Sequence, residues 1–569
     1  MHRQIVILLA ATLILTSVLH ADTDDATILE VMHDELVRNF DTLQDQEVPP
    51  YFTSYEVTQE ESVNVQASFG EVTGVNRSHN NRIYIDLRVG DFQLDNTHPT
   101  NSFSASGDFG EFPLENPDAL RSALWLRTDQ EYKQAIKDFQ NVKTTVQSQV
   151  EKEDKSGDFS PAPKETYMTP TIDLIVDEDL LKQKIELYTE QFSVADHIQA
   201  NSGSVRARIE SRWLVNTEGS RIKVSEAYFN LVITASAKAD DGMVLTKSIT
   251  YQGDSQDVLF SQDNKILADV DKLIKDLKAL RDSPLVDPYT GPAILSGRAS
   301  GVFFHEILGH RLEGHRQKSD DDGQTFKDKI GEYILPETFS VIFDPTIREF
   351  EGAQLVGDYE YDNEGVKAQR VVIVDRGILK GFLMSRSPIE GFPVSNGHGR
   401  KSNGSNLIVA RQSNMFIEVE DKVSPEELEE MLIARAQEQG KEYGLIFDDI
   451  QGGFTFTGRF MPNAFNVSPV LMYKLYPDGT KEVVRGGNMI GTPLTTFSRV
   501  EHASTEIGIF NGMCGAESGW VPVSTVSPAI LVSQIEVQKA DSSRDLPPIL
   551  PSPVRPPADR SIHQHSHQH

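Results

Sequence analysis

The sequence predicts an α+β protein of two domains: an N-terminal antiparallel sheet with helices, then a sheet-rich, sandwich- or barrel-like C-terminal domain. Three observations carry this expectation. Apolar and polar residues alternate between Tyr51 and Phe92, as in Ile83-Tyr84-Ile85-Asp86-Leu87-Arg88-Val89, and strands of the same kind run through 203–252, which marks antiparallel pairing with one wet face. Stripes at helical spacing flank these strands. After residue 339 the pattern changes to short runs rich in Val, Ile and Phe, at 340–343, 370–374, 378–384 and 414–419. The 569 residues, 38% hydrophobic and 24% charged, are too many for one domain and supply ample core.

Each element has its own signal. Residues 1–21 combine a short basic start, His2 and Arg3, with an apolar run to Leu19 and the small Ala21, the pattern of a secretory signal peptide. The mature chain is therefore expected in a periplasmic or extracellular space, with a retained N-terminal anchor as the alternative to cleavage. The N-terminal domain is placed at 22–287. It opens with a helix at 27–44, striped by Ile28, Leu29, Met32, Leu36, Phe40 and Leu43. A long helix follows at 117–150, started by Asn116-Pro117, and then a polar loop at 151–165. A helix near 178–193 precedes the second set of strands, which turn at Asn216-Thr217-Glu218-Gly219. Ile266, Leu267, Val270, Leu273, Ile274, Leu277 and Leu280 stripe a helical connector, or a short intersubunit coil. The C-terminal domain is placed at 288–540, with a helix at 425–439 capped by Ser424 and Glu427, and strands at 443–447, 467–476 and 480–485. Residues 541–569 are rich in Pro and Ser and end in alternating His563, His565, His567 and His569, the composition of a disordered tail, with weak gathering of zinc by the four histidines as the alternative role.

Charge and missing motifs exclude several functions. A formal net charge of −31 repels nucleic acid and anionic membranes, and mildly favours basic peptides as substrates. Gly452-Gly453 and Gly486-Gly487 fit no dinucleotide or P-loop pattern, and no G-x-S-x-G elbow is present. Beyond the N-terminal run, no segment has the composition of a membrane span.

The chemistry gathers in Phe303-Phe304-His305-Glu306-Ile307-Leu308-Gly309-His310. His305 and His310 stand five apart, about 140° around an ideal helix, so they can share an ion only if the turn widens or the helix ends there. Gly309 would ease either route. Two imidazoles leave a metal short of protein ligands, and the chain has one cysteine, Cys514. As a thiolate it completes a His2Cys set with one position open. Glu306 is the group type that takes a proton from water and passes it to a leaving amine. A cysteine peptidase using Cys514 with His305 as base is the rival enzyme. A catalytically silent zinc-binding partner subunit is the rival without activity.

The H-E-x-x-x-H segment followed far downstream by Cys514-Gly515 resembles the TldD/PmbA family of zinc metallopeptidases. Gly291-Pro292-Ala293-Ile294-Leu295, the Leu-Glu-Gly of residues 312–314, Asp362-Asn363-Glu364-Gly365-Val366 and Ser395-Asn396-Gly397-His398-Gly399-Arg400 match in order. The resemblance implies Zn2+ on His305, His310 and Cys514, with Glu306 as catalytic acid/base. It also implies cleavage of peptides or unfolded protein segments, and a homodimer or a heterodimer with another family member. Asn396, Arg400 and His502 lie in polar segments similar to family motifs and are candidates for holding substrate, whereas His315 has no counterpart there.

Overall fold

The computed structural model describes residues 25–98, 112–148, 154–318, 322, 324–455, 457–458 and 465–540. The signal peptide expected at 1–21 and the tail at 541–569 lie outside the described residues.

The N-terminal half is built on one sheet, antiparallel except at one edge, where a three-residue strand (Thr166–Met168) pairs parallel with its neighbour. Helix α1 (residues 25–44) lays Leu29, Met32 and Leu36 on Tyr55, Val57, Ile85 and Leu87 of the first hairpin, strands β1 (Pro50–Ser68) and β2 (Glu71–Val89). Helix α2 (Pro117–Ser148) adds Leu120, Leu124, Ala135 and Phe139 to the same core. Strand β3 (Thr166–Met168) and helix α3 (Glu178–Glu190) follow, the latter started by Asp177, whose carboxylate accepts from the backbone N–H groups of Asp179 and Leu180. Strands β4 (Ile198–Asn216), β5 (Arg221–Lys238) and β6 (Val244–Gly253) complete the sheet, with β1 paired to β4 and β6 at one edge. The β4–β5 turn falls where the sequence places it. Gly219 there has φ +94°, which a side chain would strain. Helix α4 (Asp263–Asp282) buries Ile266, Val270, Leu273, Leu277 and Leu280 in the core with Leu231, Ile233 and Ala235, while Leu267 and Ile274 of the expected stripe pack against it only partly buried. At about 1.5–3 kcal/mol per buried aliphatic side chain, that packing accounts for the helix without a second subunit.

The C-terminal half is a second, larger sheet. Its elements in chain order are β7 (Tyr289–Leu295), α5 (Gly297–Ile307), β8 (Phe339–Phe343), β9 (Val371–Asp375), β10 (Ile378–Leu379), β11 (Asn414–Val419), α6 (Pro425–Glu438), β12 (Gly444–Thr455), β13 (Phe465–Leu475), β14 (Gly487–Gly491), β15 (Val500–Ala516) and β16 (Gly519–Lys539). Neighbours run β10-β9-β8-β11-β16-β14-β13-β12-β7, and β7 pairs back to β16. Five strands thus close on themselves, which removes two sheet edges. Helix α6 carries the expected capping box: Ser424 Oγ accepts from Glu427 N at 3.2 Å, and Glu427 Oε2 accepts from Ser424 N at 2.9 Å.

Two strand expectations change. The strand expected over 378–384 stops at Leu379, because the backbone beyond it turns to the loop after α5: Leu383 N donates to Leu312 O at 2.9 Å and Gly314 N to Leu383 O at 2.8 Å. The strand expected at 443–447 continues to Thr455 through bulges against β13.

Buried charges tie the halves together. Arg212 on β4 donates to the carbonyls of Tyr361 and Asp362, at 2.7 and 2.8 Å, and Lys401 Nζ lies 2.7 Å from Glu56 on β1. Asp362 accepts backbone N–H bonds from Glu364, Val366 and Gly399, each at 2.9 Å. Glu364 accepts from Arg386 N at 2.6 Å. Burial, and then the nearby Asp362 carboxylate, push the Glu364 carboxyl up to about 8. The folded chain therefore keeps a proton that the unfolded chain loses near 4.5, so stability falls as pH rises from about 4.5 to about 8. Glu364→Gln keeps the acceptor and removes the titration. The variant is expected to gain on the wild type by about 1 kcal/mol or more at pH 8 relative to pH 5, read from urea unfolding at the two pH values.

Candidate metal centre

The helix that carries the motif is fixed at both ends. Ser296 Oγ accepts from Ala299 N at 3.3 Å, and the backbones of Gly297 and Gly508 meet so closely that a Cβ on Gly297 would stand 2.2 Å from Gly508 N. That contact pins β15 against the start of α5. Apart from Arg298 the helix is buried along its length, with Phe303 and Phe304 packed on Phe497. Of the two routes open to the histidine pair, the chain takes the second: α5 ends at Ile307, and a 3-10 turn, Gly309–Leu312, swings His310 round. Arg311 closes the end, its guanidinium donating to Ile307 O at 3.1 Å and Glu306 O at 3.3 Å. Gly309 is needed for space rather than for helix distortion. A Cβ there would lie 1.9 Å from Gln412 Oε1, in the side chain whose Nε2 donates to His305 O at 3.3 Å.

Strand β15 brings the sulfur. Cys514 sits two residues before the β15–β16 turn, in register with Val521. One donor atom from each of His305, His310 and Cys514 falls within 4.8 Å of the others, and all three residues are buried. Cys514 Sγ is 3.5 Å from His310 Nε2, and the two imidazole ring centres are 5.1 Å apart. His305 Nδ1 is buried with no hydrogen-bond partner among the described residues. Leaving such a group bare costs about 1–3 kcal/mol, so the orphaned nitrogen and the two-nitrogen, one-sulfur donor set fit a bound Zn2+.

The surrounding charges favour the thiolate. Burial alone would push the Cys514 thiol up, but His310 and His305 beside it hold it well below the usual thiol range. Burial likewise opposes charge on His310, and is outweighed by Cys514 and Glu313, which raise it. Arg411 donates to Cys514 Sγ at 3.2 Å and to Cys514 O at 2.6 Å, and its Nε stands 3.4 Å from Glu313 Oε1. Glu313 is 3.5 Å from His310 Nδ1 and accepts from Arg316 Nε at 2.8 Å. Its carboxyl is lowered to about 2: burial pushes it up, and Arg316, His310 and Arg411 more than offset that. An anion on Nδ1 fixes the His310 ring so that Nε2 faces the sulfur.

Glu306, His305, His310 and Cys514 all line one cavity of about 900 Å³. Glu306 thus faces the same space as the donor set. The other candidates do not. Asn396 pins a loop, accepting from Met384 N and donating to Phe382 O, each at 2.8 Å. Arg400 is buried over the Tyr359 ring and donates to Gln412 O and Pro522 O. His502 is exposed on β15 outside the cavity. His315 is paired with Glu517, which also accepts from Arg316 at 3.0 Å. Sequence reasoning missed Arg411 and the role of Glu313. The signals available were the Leu-Glu-Gly of residues 312–314 for Glu313 and, for Arg411, a charged side chain directly after the apolar pair Val409-Ala410.

Comparison with known proteins comes to the same region. Residues 288–539 match the family model described as the PmbA/TldA metallopeptidase C-terminal domain. A metalloprotease of Methanocaldococcus jannaschii is 34% identical over 231 residues, 40% of this chain and 47% of that protein. A metalloprotease TldD homolog of Haemophilus influenzae is 26% identical over 43% of this chain and 48% of its own, so this chain spans about half the length of these two curated relatives. A zinc metalloprotease TldD homolog of Saccharolobus solfataricus is 26% identical over 64% of this chain and 78% of its own. In structure, TldE from Thermococcus kodakarensis superposes with TM-score 0.61 at 15% identity, covering 89% of this chain and all of that one. The TldD/TldE fold therefore extends over most of the chain, and residues 288–539, which hold the whole candidate metal centre, are similar in sequence to the PmbA/TldA metallopeptidase C-terminal domain.

Proposed function

We propose that this chain is a zinc-dependent peptidase, with His305, His310 and Cys514 holding the metal and Glu306 as general acid/base. The observation that carries the reading is the meeting of those three donors beside Glu306 in one cavity. The names of the relatives support it. Bound zinc would supply a Lewis acid for the scissile carbonyl and lower the pKa of water at the site. Glu306, next to His305 on α5, accepts the proton of the attacking water and returns it to the leaving amine. Glu313 orients His310, and Arg411 holds the Cys514 segment by its carbonyl and sulfur. The substrates are peptides or unfolded segments that can enter the cavity. Export and pairing with a second copy or a related subunit complete the proposal.

Glu306→Gln is the direct test. Zinc content, measured by atomic absorption, is expected to stay at one per chain, while peptide cleavage falls by about 100-fold or more. Cleavage that survives intact removes Glu306 from its role. Activity that resists chelation but is lost on thiol alkylation favours the cysteine-peptidase rival instead.

Metal binding is also expected to depend on pH. His310 is raised and so holds a proton in the metal-free protein at neutral pH, and zinc must displace it. Affinity therefore falls as pH falls. Zinc titration calorimetry in buffers of different ionisation enthalpy is expected to show proton release on loading.

A further inference from the structure

The cavity has cationic walls that the metal site does not require. Arg206, Arg208 and Arg298 line it. Residues 206 and 208 are two apart on β4, so they share one face of the sheet. Arg206 pairs with Glu60 at 3.1 Å, and Arg208 with Glu60 and Glu210 at 3.3 and 3.5 Å. Arg298 Nε donates to Asp449 Oδ1 at 2.9 Å. None of those three carboxylates belongs to the lining. Each guanidinium therefore spends one edge on an anion behind it and keeps other N–H donors for the cavity. Among the described lining residues the carboxylates are Glu306 and Glu517, and Glu517 is already held by His315 and Arg316.

The position of Arg298 gives a distance. It precedes His305 by seven residues, two helical turns, which puts it on the same face about 10.5 Å away along the axis. Phe510 fills the space between them, its ring centre 5.6 Å from the Arg298 Cζ and 5.7 Å from the His305 ring centre. An extended peptide covers that distance in about three residues.

We propose that the cavity is a site for acidic peptides, in which Arg298, with Arg206 and Arg208 on the facing sheet, binds a substrate carboxylate about three residues from the bond that is cut. This rests on the peptidase reading. It reverses the preference for basic peptides expected from the net charge of −31, because the walls around the substrate, rather than the whole surface, set the local choice. The carboxylate is an Asp or Glu side chain, or the C-terminus of the peptide itself.

The test uses the full chain loaded with zinc and one neutral peptide in four forms: Glu or Gln three residues from the cleaved bond, each with a free or an amidated C-terminus. For wild type, the carboxylate-bearing form is expected to have a KM lower by about tenfold, with kcat little changed. A gain that follows Glu identifies a side chain, and one that follows the free terminus identifies the C-terminal carboxylate. Arg298→Gln is expected to bring the KM ratio close to one. The double variant R206Q/R208Q is expected to shrink it, and serves alone if Arg298→Gln does not fold. Equal KM for all four forms, or a ratio untouched by these substitutions, overturns the inference while the peptidase reading stands. Fluorescence anisotropy of the same peptides on Glu306→Gln separates the two. Carboxylate-selective binding without cleavage by the wild type keeps the recognition and rejects the peptidase, whereas neither binding preference nor cleavage rejects both.

Discussion

The constraint on which the site depends is the ladder between β15 and β16. Strand β16 does two things at once: it pairs with β7 and β14 to close the ring of strands, and it carries β15 as its hairpin partner. Helix α5 packs on both strands, and the contact of Gly297 with Gly508 sets how near they come. The position of the sulfur opposite the imidazoles is therefore a property of the sheet and not of a loop. Sites built on regular elements hold their geometry more tightly than sites on flexible segments.

Around this frame the charges are arranged as a chain of alternating sign. Cys514, His310, Glu313 and the guanidinium groups of Arg316 and Arg411 follow one another in direct contact. Each is buried, and a lone buried ion would be expensive. Together they compensate one another, so the removal of one leaves its neighbour unpaired. Arg411 is the member that touches most: sulfur, carbonyls and carboxylate all meet its one side chain.

Much of this was legible from residue patterns, for identifiable reasons. The alternation of β1 to β6 and the stripe of α4 are local signals, and local signals survive in a single sequence. The donors could be named because a lone cysteine and a five-residue histidine spacing leave few choices. Three features were not legible. The long β15–β16 hairpin has mixed polarity on β15, where Glu501, His502, Glu506 and Asn511 interrupt the strand pattern. The early end of the 378–384 strand is set by Leu312, which belongs to another segment. The role of Arg411 exists only through Cys514 and Glu313, distant in sequence, so no window around Val409-Ala410-Arg411 contains it. Each of these is a long-range contact, where tertiary context overrides local preference.

The order of the donors along the chain has a consequence for synthesis. His310 and Cys514 are separated by 204 residues, and the strand that locks the sulfur in place, β16, is the last described element. A ribosome releasing this polypeptide completes the two imidazoles long before the thiol, and the ring closes later still. During translation the unfinished chain thus carries the two imidazoles without the sulfur, and the donor set can assemble only after β15 and β16 have been made.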